Sequence, residues 1–378
     1  MNISKSITIL MSIIFVLISF TTCNTKEEIS ERDIFIEEGS YTGSYWPTTG
    51  WRSCSPDEVG MDSESLKLVY DYIANPSVNT EGIVVIRRGY IIAEAYFGEF
   101  SQNSRHSSYS VAKSFISALI GISISENYIT GINNKVFNYF PAWDSDGIDP
   151  RKKNISIKHL LTMSSGLEWN EANYYTDISR NDVFIMVEEN DYIQYVLDKP
   201  SEFEPGTIWR YSSGDSMLLS GIIQQSTGMT AYQYAMGNLF GPIGISGVTW
   251  ESDRAGHTVG GWGINATVRE YAKFGYLYLN SGEWDGLQIV PESWVEQSKT
   301  PVTSNIDYYG FQGWLATALQ GFNNSDIPSD LFLAWGIFTQ QIFVIPSLDL
   351  VIVRVANDPG SPEWDEVQFL TLIINSIQ

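Results

Sequence analysis

Gly82-Ile-Val-Val-Ile-Arg-Arg-Gly89-Tyr-Ile-Ile-Ala-Glu-Ala-Tyr96 sets β-branched and aromatic runs on either side of a charged turn containing glycine, which is the pattern of a β-hairpin. The pattern returns near the other end of the chain, where Gln341-Ile-Phe-Val-Ile-Pro-Ser-Leu-Asp-Leu-Val-Ile-Val-Arg-Val355 turns at Pro346 to Asp349. Beyond it, Glu363 to Ile377 reads as an amphipathic helix. Between the hairpins the chain is mostly helical: Lys113 to Ser125, Ile157 to Met163, Met217 to Ser226 and Val268 to Asn280 all carry apolar residues at helical spacing. Thr267 and Glu270 form a capping box ahead of the last of these. The expected architecture is therefore of the α+β class, a sandwich in which helices flank an antiparallel sheet built from both chain ends. Residues 49–120 and 255–378 would form this α/β domain, with a mostly helical domain, 121–254, inserted between them.

Composition narrows the function. The chain has 378 residues, 43% hydrophobic and 13% aromatic, enough for a large buried core. Lys+Arg of 22 against Asp+Glu of 44 leaves a net charge of −22, which argues against nucleic acid as a partner and against electrostatic docking on anionic lipid. Three histidines and two cysteines leave little material for a metal site, and neither a metal nor a cofactor is expected.

The first residues read as an address. Lys5 is followed by an apolar run from Ile7 to Phe20, too short for a comfortable membrane span but suited to a signal peptide over residues 1–22. Thr21-Thr22-Cys23 then resembles the cleavage box of bacterial lipoproteins, with Cys23 as the lipidated residue; ordinary signal-peptidase cleavage and an uncleaved anchor are the alternatives. Acylation would leave Cys54 alone in the mature chain, with no disulfide to form. Residues 23–48, with Glu27, Glu28, Glu31, Asp33, Glu37 and Glu38, read as an acidic tether, and the folded part is expected to start near Trp51. The expected location is the cell envelope of a bacterium.

The sequence has no Gly-x-Ser-x-Gly, His-Glu-x-x-His, Cys-x-x-Cys or Walker pattern. Gly261-Trp-Gly263-Ile-Asn-Ala266 fits Gly-x-Gly-x-x-Ala, but no strand and acidic partner frame it as a dinucleotide site requires. Ser110-Val-Ala-Lys113 stands at the head of an apolar helix. Residues three apart there share a face, so the Lys113 amine can reach the Ser110 hydroxyl, and a partly desolvated lysine can take its proton. Tyr211, on a short loop ahead of a helix, could shuttle a proton to a leaving group; the alternative is a packed aromatic. Tyr278-Leu-Asn280 offers a rival tyrosine, but inside a helix with Phe274 and Leu277 it reads as core. His106 and His159 read as structural, and His257 as the histidine best placed to line a cleft.

These residues resemble the serine hydrolases of the class C β-lactamase type, which include penicillin-recognising peptidases, esterases and 6-aminohexanoate-oligomer hydrolases. Blocks at Trp51 to Tyr72, Ile83 to Tyr96, Tyr109 to Gly121, His159 to Leu167, Tyr211 to Gly228, Gly260 to Trp294 and Gln340 to Val353 look like family blocks in family order. The resemblance implies a β-lactamase/transpeptidase-like fold and an acyl-enzyme at Ser110, with Lys113 as activator and Tyr211 as proton relay. It also implies an oxyanion hole from the backbone N–H of Ser110 and of Ile337. The family's Lys-Thr-Gly is missing: Leu331-Phe-Leu-Ala-Trp335 stands there. Ser213 replaces the Asn of Tyr-x-Asn. Both departures tilt the expectation from carboxylated β-lactams toward small-molecule esters or linear amides, with Tyr174, Tyr175, Trp335 and Phe338 as candidate pocket walls. A slowly turning-over penicillin-binding-type sensor and a peptidase acting on D-amino peptides are the alternatives.

Overall fold

The computed structural model describes residues 39–172 and 178–378. Its centre is an antiparallel sheet of six strands: β1 (Thr80–Arg87), β2 (Tyr90–Tyr96), β3 (Trp314–Leu315), β4 (Phe332–Gly336), β5 (Gln340–Ile345) and β6 (Leu350–Ala356). Their order is β2-β1-β6-β5-β4-β3, so β1, from the first hairpin, pairs with β6, from the last. In the first turn Arg88 and Gly89 both take positive φ, 50° and 81°, the backbone twist that a two-residue hairpin favours. The sheet thus draws on both ends of the chain, as the hairpins imply.

Alternation along the strands explains why they read as unbroken apolar runs. Val84, Ile86, Ile342, Val344, Val351, Val353 and Val355 lie in one core, while Ile83, Val85, Phe343, Ile345, Leu350 and Ile352 lie in the other. Successive residues of a strand point to opposite faces, and here both faces are covered. On one side pack α1 (Ser63–Ile73), through Leu66, Val69 and Ile73, and the C-terminal helix α5 (Glu366–Ile374), through Phe369, Leu370 and Ile373. On the other lies α4 (Val268–Leu279), capped by the Thr267 and Glu270 box. The C-terminal helix is shorter than its apolar pattern, because Asp365 accepts from the N–H of Gln368 and sets the start there.

Behind α4 runs α2 (Ala112–Ser125), buried from Ala112 to Ser123 on every side. It packs against α3 (Ser213–Thr227), which comes from the mostly helical stretch. One continuous core includes Val84 of the sheet, Phe115 of α2 and Leu218 of α3, and the described residues form one compact unit.

The acidic stretch expected to hang free as far as residue 48 is docked from Tyr41 on. Tyr90 donates to the carbonyl of Gly43 at 2.8 Å, the Trp46 and Trp284 rings lie 5.4 Å apart, and Lys273 donates to the carbonyl of Thr48 at 3.1 Å. Tyr41, Tyr45 and Trp46 bring enough apolar surface to hold this segment down despite its glycines. Among the described residues, no helix is long and apolar enough to cross a membrane.

Gly275 on α4 shows how close helix and sheet come: a Cβ there would lie 2.6 Å from Val351 Cγ1 and 2.9 Å from Ile342 Cγ2. In an exposed helix, glycine to alanine stabilises by about 1 kcal/mol. Here overpacking, which typically costs about 1–3 kcal/mol, opposes that gain. Gly275→Ala is expected to lower the denaturant midpoint of unfolding, whereas an unchanged or raised midpoint would show that the helix can move off the sheet freely.

Candidate active site

Ser110 sits in a short 3-10 turn, Tyr109–Val111, that feeds α2. Two hydrogen bonds moor the turn: the N–H of Ser108 to the carbonyl of Ile264 at 2.7 Å, and the N–H of Ile264 to Ser108 Oγ at 3.1 Å. Tyr109 takes φ 42°, in the left-handed region. The end of β4 passes close by. A Cβ on Gly336 would stand 2.7 Å from the carbonyl oxygen of Ser108 and 3.1 Å from the nitrogen of Ser110, so only glycine lets the strand approach the serine backbone this closely.

One helical turn on, Lys113 is 1% exposed. Its Nζ lies 3.0 Å from Ser110 Oγ, 3.0 Å from Ser213 Oγ and 3.0 Å from the carbonyl oxygen of Gly261. Burial pushes its pKa down to about 8, against the opposing pull of the Glu171 carboxylate. A buried lysine so poised has an appreciable neutral fraction at mildly alkaline pH.

Tyr211 stands just before Ser212, the residue that caps α3 by accepting from the N–H of Asp215. Its ring centroid is 4.9 Å from Lys113 Nζ, and Ser110 lowers its pKa slightly against the effect of burial. Burial, then the Glu171 charge, hold the phenol in its protonated form by raising its pKa well above the ordinary value. The ring stacks on Trp314 with centroids 5.7 Å apart, and Trp314 meets Trp335 edge-on at 5.9 Å. Trp209 stands edge-on to Trp314 at 6.1 Å and to Tyr308 at 5.3 Å. These half-buried rings make an aromatic wall that starts at Tyr211 and reaches the strand beside Ser110.

The remaining sequence candidates divide. Ser213 joins the cluster, but it is buried and faces Lys113 and Glu171. Trp335 joins through the wall. Ile337, Phe338 and Thr339 turn the chain from β4 into β5, with Phe338 and Thr339 both in the left-handed region at φ 61° and 59°. The Phe338 ring meets Tyr109 edge-on at 5.1 Å. Tyr174, Tyr175 and Cys23 lie outside the described residues. His257 is not brought to the cluster by its contacts: Nδ1 lies 3.0 Å from Asp253 and 3.5 Å from Asp191. Those three side chains place ligand atoms within 4.8 Å of one another, yet the carboxylates already accept backbone N–H groups from Tyr192, Gln194 and His257. They tie a loop to a helix start. His106 is paired with Glu81 at 2.9 Å, and His159 Nδ1 accepts from the N–H of Ser156 at 3.3 Å, both structural roles. Tyr278 is buried in α4. Gly261 and Gly263 precede a short strand, Ile264–Thr267, the reverse of the order a dinucleotide site needs.

Sequence reasoning missed Glu171. Its carboxylate accepts from Trp169 Nε1 at 2.6 Å, from the N–H of Ser213 at 2.5 Å and from Ser213 Oγ at 2.7 Å. A single acid in a loop 42 residues from its partner gives no sequence signal. The Gly261 carbonyl, a main-chain atom, gives none either.

Known proteins share this fold. The Beta-lactamase family model matches residues 73–373. The 6-aminohexanoate-dimer hydrolase of Paenarthrobacter ureafaciens is 24% identical over 310 residues, 76% of each chain. Among solved structures, a protein from Bacillus anthracis assigned as a 6-aminohexanoate-dimer hydrolase superposes with a TM-score of 0.67 at 22% identity, covering 82% of this chain and 81% of its own. EstCE1, a hydrolase with promiscuous acyltransferase activity, superposes with a TM-score of 0.65 at 14% identity, covering 84% and 99%.

Proposed function

Since the chain belongs to the beta-lactamase family of serine hydrolases, we propose that it cleaves an ester or linear amide bond through an acyl-enzyme on Ser110. The observation that carries this reading is the buried Lys113 amine, pinned among oxygens of which one is the Ser110 hydroxyl. Neutral Lys113 takes the Ser110 proton as Oγ bonds to the substrate carbonyl carbon. The carbonyl electrons pass to its oxygen, which faces the N–H groups of Ser110 and Ile337. When the intermediate collapses, the bond to the leaving oxygen or nitrogen breaks. Tyr211 hands its proton to that atom and recovers one from the Lys113 ammonium. Water then attacks the acyl ester along the same route in reverse, releasing the acid and restoring the serine.

On this reading, sustained turnover of p-nitrophenyl esters is lost by at least about 1,000-fold in Ser110→Ala and Lys113→Ala, and falls by about 100-fold or more in Tyr211→Phe. The rate rises with pH through about 8, because burial lowers Lys113 to that value and only its neutral form can accept a proton. Asp215, which burial raises to about 8, titrates in the same range, so the profile is read beside Asp215→Asn, which is expected to retain the acid limb. Activity that survives Ser110→Ala sinks the mechanism. One stoichiometric burst without turnover would instead identify a penicillin-binding-type sensor, and release of D-alanine from peptidoglycan fragments would identify a peptidase.

The substrate class follows from what surrounds Ser110. β4, Phe-Leu-Ala-Trp-Gly, carries no cation, and Arg210, the basic neighbour of Tyr211 in sequence, is paired with Glu202 and lies over the Phe203 ring. A substrate carboxylate entering beside Glu171 would be left unpaired, at a cost of about 2–5 kcal/mol. Neutral esters with apolar acyl groups are therefore expected to exceed a carboxylated cephalosporin by about 100-fold or more in kcat/KM; the opposite ranking refutes the assignment.

The protein is further proposed to work in the cell envelope, held by lipid on Cys23. Support comes from the apolar run and Thr-Thr-Cys box at its start. Labelling with an alkyne fatty acid in a bacterial host should mark the wild type and spare Cys23→Ser, and equal labelling of both would exclude this anchor.

A further inference from the structure

We propose that Glu171 is a positioning residue which, by fixing the hydroxyl of Ser213, aims the lone pair of neutral Lys113 at Ser110. The inference rests on the acyl-enzyme reading above and follows from counting hydrogens. The Ser213 hydroxyl has one proton. Glu171 Oε1, a carboxylate oxygen 2.7 Å away, can only accept it. Ser213 Oγ must then turn its lone pairs toward Lys113 Nζ at 3.0 Å and accept from it. The Gly261 carbonyl, also at 3.0 Å, can only accept as well. A neutral amine has two N–H bonds, and both are committed. Its remaining tetrahedral direction, the lone pair, is left for the third neighbour, Ser110 Oγ at 3.0 Å. Without Glu171, the Ser213 hydroxyl could donate to Lys113 and consume the lone pair that the reaction needs.

The carboxylate is held rigidly in this task. Oε2 accepts from Trp169 Nε1 at 2.6 Å and from the Ser213 N–H at 2.5 Å, which leaves Oε1 for the hydroxyl. Glutamine in place of Glu171 has only one arrangement that satisfies these partners. Its carbonyl oxygen must take the place of Oε2, since both partners there are N–H donors. Its NH2 group then stands where Oε1 was and donates to Ser213 Oγ, turning the hydroxyl toward Lys113. Glu171→Gln thus keeps shape and hydrogen-bond number while reversing one bond. It also removes a negative charge that holds Lys113 up against the effect of burial.

Among the described residues, the charged and titratable groups around Lys113 are Glu171 from the loop before residue 173 and Tyr211 from the segment ahead of α3; Asp215 of α3 and Tyr309 interact in turn with Tyr211 or Glu171. The test is the pH–rate profile of the full chain with a p-nitrophenyl ester, for wild type, Glu171→Gln, Ser213→Ala and the double variant, beside Ser110→Ala. Glu171→Gln should lower the alkaline plateau of kcat by about 100-fold, the scale of a misdirected general base, while its acid limb moves to lower pH. A merely structural role would not produce that pair of changes. In Ser213→Ala the relay is already cut, so adding Glu171→Gln should leave the plateau of Ser213→Ala unchanged. A Glu171→Gln plateau within about 3-fold of wild type, or losses that multiply in the double variant, would overturn the proposal. Should Glu171→Gln fold poorly, Ser213→Ala, which leaves the Glu171 to Trp169 bond in place, must still lower the plateau or the proposal fails. If Ser110→Ala remains active, the acyl-enzyme reading itself is wrong, an outcome distinct from these.

Discussion

The rest of the molecule is arranged around one amine kept out of water. Lys113 lies on a helix surrounded by apolar side chains, and removing a lysine from water costs several kcal/mol unless its hydrogens find acceptors. Oxygens from three separate parts of the chain meet that need: the turn at Ser110, the start of α3 at Ser213 and the loop at Gly261. These segments must come together for the lysine to be buried at all. The packing of α2 against α3 is as much a condition of the chemistry as of stability. Burial leaves the amine a ready base, and the Glu171 charge limits how far its pKa falls.

The sheet supplies the second constraint. Both of its faces are covered, so β4 and β5 cannot shift without disturbing a core. Their connecting turn places Phe338 and Thr339 in the left-handed region, each at a cost of about 1–2 kcal/mol for a residue with a Cβ. Neighbouring side chains offset the cost. Arg354, buried under the Trp364 ring at 3.6 Å, donates to Thr339 Oγ1 and to the carbonyl of Val78, and Gln340 Nε2 donates to the carbonyl of Phe338 at 3.2 Å. The strand end next to Ser110 is thereby held by hydrogen bonds from the sheet interior.

The aromatic wall gives the site its character. Among the described residues, the Tyr211, Trp314 and Trp335 rings stand near Ser110 together with the Glu171 carboxylate and the Lys113 amine. Such a surface favours flat or apolar groups and disfavours anions.

Much of this was legible in the sequence, because period and spacing are local properties. Alternating runs at 82–96 and 341–355 specified the hairpins. The Ser110 and Lys113 spacing put both side chains on one helix face, and Thr267 with Glu270 marked a helix start. Local pattern misjudged residues 41–48, grouping them with the acidic run ahead of them although they carry no acid and their aromatic rings dock. His257, the histidine that the sequence offered for lining a cleft, is instead engaged by Asp253. The order of strands, the carbonyl of Gly261 facing Lys113 and the carboxylate of Glu171 on Ser213 were decided by tertiary structure alone. A sequence fixes which chemical groups are available and which neighbours along one helix or strand can meet. The direction of a hydroxyl proton and the dielectric around an amine depend on segments that only folding brings within hydrogen-bonding distance.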